Sequence, residues 1–217
     1  MITYGKHSML TLKGSHDHFY LNGMEALKPN HPAVRQLISE GHEPNCFGSR
    51  IWGASYLLID YLSRVNITHQ KQLLELGCGW GLVSTFLKKN YNADICACDI
   101  DKNVFPFQEL LNDTNDVHVP TQCCSFKTLT EQNLSGLDVM VGADICYSPN
   151  IEKQLLELFW HFAAQGGREI VLADSGRAPF IDLSERLLAI FDGELLPLSL
   201  HLPTQLDGYI LHIRLKK

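Results

Sequence analysis

The chain has 217 residues, 45% of them hydrophobic and 19% charged, enough for a single domain that buries about 70% of its unfolded surface without a disulfide or metal staple. Its net charge of −6 and pI of about 5.9 speak against a surface built to grip phosphates, so nucleic acid is not an expected partner. Apolar stretches such as 155–164 are too short and too polar to cross a bilayer, and residues 1–12 carry no secretion signal, so the expectation is a soluble cytoplasmic protein with no membrane partner.

The segment 1–48 is punctuated by Gly14, Gly23, Pro29, Pro32, Gly41, Pro44 and Gly48 and reads as an N-terminal cap or lead-in of strands and turns. Within it, 31–40 suits a short helix with Pro32 in the first turn. The main domain, 49–217, begins with Ile51, Ala54, Leu58, Tyr61, Leu62 and Val65, which recur at helical spacing. A strand over 72–76 follows, then a helix carrying Leu82, Val83, Phe86 and Leu87, and a second strand over 93–98 closed by Asp99. Next come a helix over 102–112, strands over 117–122 and 137–143, a helix marked by Ile151, Leu155, Leu158, Phe159 and Phe162, a strand over 169–173 and a helix over 180–191. The runs 195–202 and 208–215, joined by a loop that starts at Pro203, suit a strand pair. Strand–helix alternation closed by a hairpin predicts a doubly wound α/β fold, its mostly parallel sheet carrying an antiparallel edge.

Seven cysteines, at 46, 78, 96, 98, 123, 124 and 146, form no Cys-x-x-Cys pair and read as small buried thiols in a reducing compartment. His16 and His18 are the closest histidine pair, with no further ligands at metal spacing, so no metal is expected.

The informative segment is Leu73-Leu74-Glu75-Leu76-Gly77-Cys78-Gly79-Trp80-Gly81, where the first strand of the domain meets its helix. Glycines at that turn let backbone approach a ligand closely. A dinucleotide fingerprint requires glycine at position 82; the residue is Leu82, which disfavours an NAD-dependent oxidoreductase. An acidic residue followed by Gly-x-Gly-x-Gly resembles instead the class I, seven-strand methyltransferases that use S-adenosylmethionine (SAM) and release S-adenosylhomocysteine. The resemblance implies that Gly77, Gly79 and Gly81 pass beneath the methionine part of SAM with Glu75 close by. Asp99 would accept hydrogen bonds from the ribose hydroxyls and Ile100 would lie on the adenine, with Asp101 reserved for a helix N-cap. Ser125 and Phe126 occupy the adenine-facing loop, Ser125 standing where many members have Asp.

Three further stretches resemble the lysine-directed branch called methyltransferase family 16. Ala143-Asp144-Ile145-Cys146-Tyr147 matches its Asp-x-x-Tyr motif after the fourth strand and lacks the Asn-Pro-Pro-Tyr of enzymes that methylate planar amino groups. Arg50-Ile51-Trp52-Gly53-Ala54 resembles a Trp-Pro-(small) motif that helps enclose the cofactor, with Gly53 in place of proline. Ala173-Asp174-Ser175-Gly176-Arg177 resembles the Gly-Asp-Pro-Gly-Arg loop of the electron-transfer-flavoprotein β-subunit lysine methyltransferases. By this resemblance Asp144 and Tyr147 are the catalytic pair, and Trp52 and Ala143 belong to the cofactor site. Asp144 orients an acceptor amine and Tyr147 offers it a ring face or hydroxyl. Cys78 and Cys146 lie beside that site without an activating histidine and read as packing. The acceptor is expected to be a protein lysine; a small amine, or a catalytically silent SAM-fold binding protein, are the alternatives.

Overall fold

The computed structural model describes residues 10–45, 47–65, 67, 71–202 and 204–215; Cys46, Pro203 and residues 1–9 lie outside them. An antiparallel meander comes first, β1 (Leu12–Gly14), β2 (His18–Leu21) and β3 (Met24–Leu27), then the short helix α1 (Pro32–Ser39). Pro32 does open α1, and the His31 side chain caps it.

The domain proper runs α2 (Gly53–Leu62), β4 (Gln72–Leu76), α3 (Leu82–Tyr91), β5 (Asp94–Asp99), α4 (Phe105–Thr114) and β6 (Thr121–Cys123). It continues through α5 (Phe126–Thr130), β7 (Val139–Ala143), α6 (Pro149–Ala164), β8 (Glu169–Asp174) and α7 (Ala178–Leu188) to the hairpin β9 (Asp192–His201) and β10 (Gln205–Arg214). The seven strands lie in the order β6-β5-β4-β7-β8-β10-β9. Strands β4 to β8 are parallel, and β10 enters antiparallel between β8 and β9. The expected antiparallel edge is therefore present, with its last strand tucked inside it.

Side-chain alternation along each strand divides the interior into two layers. Leu73, Ile95, Ala97, Val139, Val141, Val171 and Ile210 face α2, α3 and the N-terminal meander, whose Phe19, Leu21, Met24 and Ala26 join the same core. Leu74, Leu76, Met140, Ile170, Leu172 and Ile213 face α6 and α7 through Leu155, Phe159, Phe162, Phe180 and Leu183. Strands buried on both faces read as unbroken apolar runs, the pattern seen at 139–143 and 170–173. The meander thus completes one face of the sheet, while α1 packs beside α4 through Val34 and Phe107.

Local boundaries moved in three places. The expected helix at 102–112 begins as a single 3-10 turn, Lys102–Val104, because Asp101 caps that turn and Pro106 then restarts the helix as α4. The third strand is only Thr121–Cys123, since Pro120 cannot donate to a ladder. The adenine-side loop is helix α5, which Ser125 initiates by accepting from the Thr128 N–H at 3.0 Å.

Candidate active site

The order in which strands are added reverses between β4 and β7. The sequence goes outward from β4 through β5 to β6, then returns to β7 on the other side. In an open parallel sheet this switch leaves a crevice beyond the carboxyl ends of the strands. A cavity of about 270 Å³ occupies it. Its walls come from the ends of four neighbouring strands (Gly77 after β4, Asp99 at β5, Asp144 after β7 and Arg177 after β8) together with the lead into α2.

The floor is the glycine turn. Gly77 and Gly79 have φ of +58° and +52°, a conformation that L side chains rarely adopt. A side-chain carbon at Gly77 would meet Ile145 at 2.7 Å, whereas above Gly79 there is nothing within 4 Å, so that backbone is left bare toward the cavity. Gly81 does not line the cavity. Its φ of +72° opens α3, and a side chain there would strike Gln108 of α4 at 2.5 Å, so this glycine packs the turn against a helix.

Two carboxylates flank the turn. Glu75 accepts from the Ser84 N–H at 2.9 Å and is almost wholly buried where it borders the cavity, and burial pushes its carboxyl up to about 7. Asp99 accepts from the N–H groups of Gly79 and Asp101, each at 2.9 Å. Its carboxyl is raised by burial, with those N–H groups pulling the other way. These bonds fix the Asp99 side chain to the glycine turn while it still faces the cavity. Ile100, 60% exposed, extends the wall beside it. Ser125 and Phe126 also line the cavity, but the Ser125 hydroxyl is engaged as the α5 cap and a ligand would have to share it.

On the β7 side, Asp144 sits in the left-handed region at φ +57°, held there by its N–H bonding to the Ala173 carbonyl at 2.9 Å. Its carboxylate accepts from Arg177 Nη2 at 2.9 Å and from the Ala54 N–H of α2 at 3.3 Å. Arg177 in turn grips Asp174 through Nε, at 3.1 and 3.2 Å, and through Nη2. Burial raises the Asp144 carboxyl and the Arg177 charge opposes that rise. Asp144 therefore braces three elements as well as facing the cavity. The Gly-Arg loop at 176–177, read above only as a likeness, supplies the cation of that brace.

The mouth is aromatic. Tyr147 stands 5.3 Å from Phe47 edge to face, and Phe47 lies 6.5 Å from Trp52. The Phe47 carbonyl accepts from the Trp52 indole N–H at 2.8 Å, and the Arg50 guanidinium lies 4.0 Å over the Trp52 ring. Gly53, where the Trp-Pro pattern would have proline, leaves space that Leu206 of the terminal hairpin fills; a side chain there would meet Leu206 at 2.7 Å.

A sequence profile described as lysine methyltransferase, that of methyltransferase family 16, matches residues 33–178. The chain belongs to that family. No curated protein matches the sequence. The fold of this methyltransferase is shared with solved structures of low identity. An rRNA methylase from Streptococcus thermophilus is 10% identical with a TM-score of 0.56, over 76% of this chain and 97% of its own. Magnesium protoporphyrin IX methyltransferase from Synechocystis, solved with bound SAM, is 16% identical with a TM-score of 0.54, over 85% and 90%. A ribosomal protein L11 methylase from Lactobacillus delbrueckii is 15% identical with a TM-score of 0.55, over 76% and 79%. The cofactor is SAM. The cavity suits it: a bare left-handed glycine backbone lies between the Asp99 and Asp144 carboxylates. Since RNA methylases share this fold, the acidic overall charge alone does not exclude a nucleic-acid acceptor for the methyltransferase.

Several residues of the cavity were not legible beforehand. Phe47 had no motif to mark it, and its φ of +69° is visible only in the structure. Cys124 sits on the wall with its thiol lowered by a hydrogen bond with Cys98. Cys78 and Cys146 are buried thiols raised by burial, Cys146 to about 12, in keeping with packing roles. Cys123 is exposed, unlike the other cysteines of its group, because it occupies the edge strand β6. Among the described residues no helix is long and apolar enough to cross a membrane, and no cluster of His, Cys, Asp or Glu is arranged to hold a metal ion.

Proposed function

We propose that this SAM-dependent methyltransferase transfers the methyl group to a protein lysine. The observation that carries the reading is the mouth of the cavity, where Tyr147, Phe47 and Trp52 form an aromatic rim on the cavity that Asp144 also lines. Aromatic faces and one carboxylate are what an alkylammonium seeks on entry. The family description points to the same acceptor.

When bound, SAM supplies the electrophilic methyl group. Glu75 and the backbone of Gly77 and Gly79 would hold its methionine part, Asp99 its ribose hydroxyls, and Ile100 and Phe126 its adenine, with Trp52 and Ala143 closing the cofactor chamber. At pH 7 a lysine is protonated, and presenting it as the neutral amine costs about 4.6 kcal/mol. The aromatic rim recruits the ammonium, and its proton passes to bulk water before transfer. Asp144 orients the amine through the lone pairs that Arg177 and Ala54 leave free, and stabilises positive charge as it grows on nitrogen. Because Arg177 neutralises Asp144, its contribution is positioning more than proton abstraction.

The test is incubation of the protein with radiolabelled SAM and cell extract, followed by acid hydrolysis of labelled protein. Methylated lysine is expected. Label recovered in nucleic acid, or in small molecules alone, would overturn the reading. In the same assay Asp144→Asn should lower turnover at least about tenfold with S-adenosylhomocysteine affinity within about twofold. Unchanged turnover would remove Asp144 from the chemistry.

A further inference from the structure

The charged residues lining the cavity are Glu75, Asp99, Asp144, Arg50 and Arg177. SAM carries, at its methionine end, an ammonium and a carboxylate. Acidic partners for the ammonium and the ribose are at hand, but an anion entering a cavity whose walls hold three carboxylates needs a cation to meet it. Arg177 is committed, its guanidinium bound to Asp174 and Asp144 together. Elsewhere Arg64, Arg168, Arg186 and Arg214 also each hold a carboxylate. Of the two arginines at the cavity Arg50 differs: among the described residues no carboxylate forms an ion pair with it, although it lies close enough to Asp144 for its charge to lower that carboxyl.

Arg50 is also held in place. Its guanidinium lies 4.0 Å over the Trp52 ring. The Trp52 indole is pinned by its bond to the Phe47 carbonyl. A guanidinium seated over an aromatic ring makes no hydrogen bond to it and keeps its N–H groups for a planar, two-oxygen acceptor such as a carboxylate. Position fits as well. Asp144 and Asp99 stand beyond β7 and β5, on either side of β4, which the strand spacing puts about 10 Å apart. Arg50 is on the Asp144 side, away from the carboxylate that would take the ribose.

We propose that Arg50 receives the carboxylate of the methionine part of SAM and so distinguishes the whole cofactor from fragments that lack that group. The inference rests on SAM occupying this cavity, and the experiment separates the two ideas. Calorimetric titration compares S-adenosylhomocysteine with its decarboxylated analogue, which keeps the ammonium and the adenosine. The wild type should bind the complete ligand at least about tenfold more tightly, as expected for a charge-assisted bidentate contact. Arg50→Met, which keeps a long apolar stem against Trp52, should abolish the difference by weakening only the complete ligand. Arg50→Lys should restore part of it. If Arg50→Met leaves the preference intact, or weakens both ligands equally, the assignment is wrong and Arg50 serves the rim alone. If the wild type binds neither ligand, the cofactor site itself is misplaced and the assignment falls with it.

Discussion

Glu75 offers the sharpest test of how the cofactor chamber is built. Its carboxyl titrates near 7 in the folded chain because it is buried, with one N–H bond from Ser84 to offset the loss of water, whereas in the unfolded chain it titrates near 4.5. At about 1.4 kcal/mol per tenfold, that gap amounts to about 3 kcal/mol of folding stability. The sign follows from proton counting. Between the two values the folded state binds more protons, so stability is fully present below about pH 4.5 and is lost as pH rises through about 7. Glu75→Gln keeps the shape and the acceptor for Ser84 but cannot ionise. Urea unfolding should therefore find the variant and wild type alike at pH 4, with the variant about 3 kcal/mol more stable at pH 8. The same substitution should weaken SAM binding, because the cationic methionine end is what makes an ionised Glu75 worth its burial. For the wild type, affinity should rise from pH 6 to pH 8 with release of a proton, measurable by calorimetry in buffers of different ionisation enthalpy. A stability difference that does not change between pH 4 and pH 8 would refute the reasoning, since it would mean the carboxylate is solvated in the fold.

Two further substitutions probe the scaffold. Arg177→Met should cost about 3 kcal/mol, the lower end for breaking a buried ion pair because Arg177 is 33% exposed, and should lower the melting temperature by about 6 to 12 °C. The penalty should shrink on acidification, because Asp144, already raised by burial, then takes up a proton; Arg168→Met, at an exposed pair, should cost under about 1 kcal/mol by the same melt. Gly81→Ala forces a side chain into the left-handed region and against Gln108, so thermal melts should show a loss of about 1 to 3 kcal/mol, and an unchanged melt would mean that Gln108 gives way freely.

The fold was legible in the sequence wherever burial alone decides secondary structure. Runs such as Val139–Ala143 and Ile170–Ala173 have no hydrophilic face, as suits short central strands, and the glycine turn between Leu76 and Leu82 marks the switch point. Helix α5 escaped because Ser125 was weighed as a possible adenine contact and not as a cap, although Ser-x-x-Thr places both hydroxyls within 2.9 Å of each other. At Gly81 the packing need for glycine comes from Gln108, 27 residues later in the chain and invisible to any local pattern. Local spacing singles out Gly77, Gly79, Asp99 and Asp144, all of which line the cavity. It does not say with whom they are already paired.

That distinction matters most at Asp144. From sequence it is one carboxylate of an Asp-x-x-Tyr motif; in the fold it closes a circuit from β7 to Arg177 after β8 and to the first turn of α2. The loops after β7 and β8 carry Tyr147 and Arg177, and the lead into α2 carries Arg50 and Trp52, so the brace ties the rim that meets an acceptor to the residues that face the cofactor. Removing the Asp144 side chain would thus free Arg177 and the first turn of α2 together. Separating chemistry from scaffold at this position therefore requires Asn, which keeps an acceptor for Arg177 or Ala54, because alanine would release both.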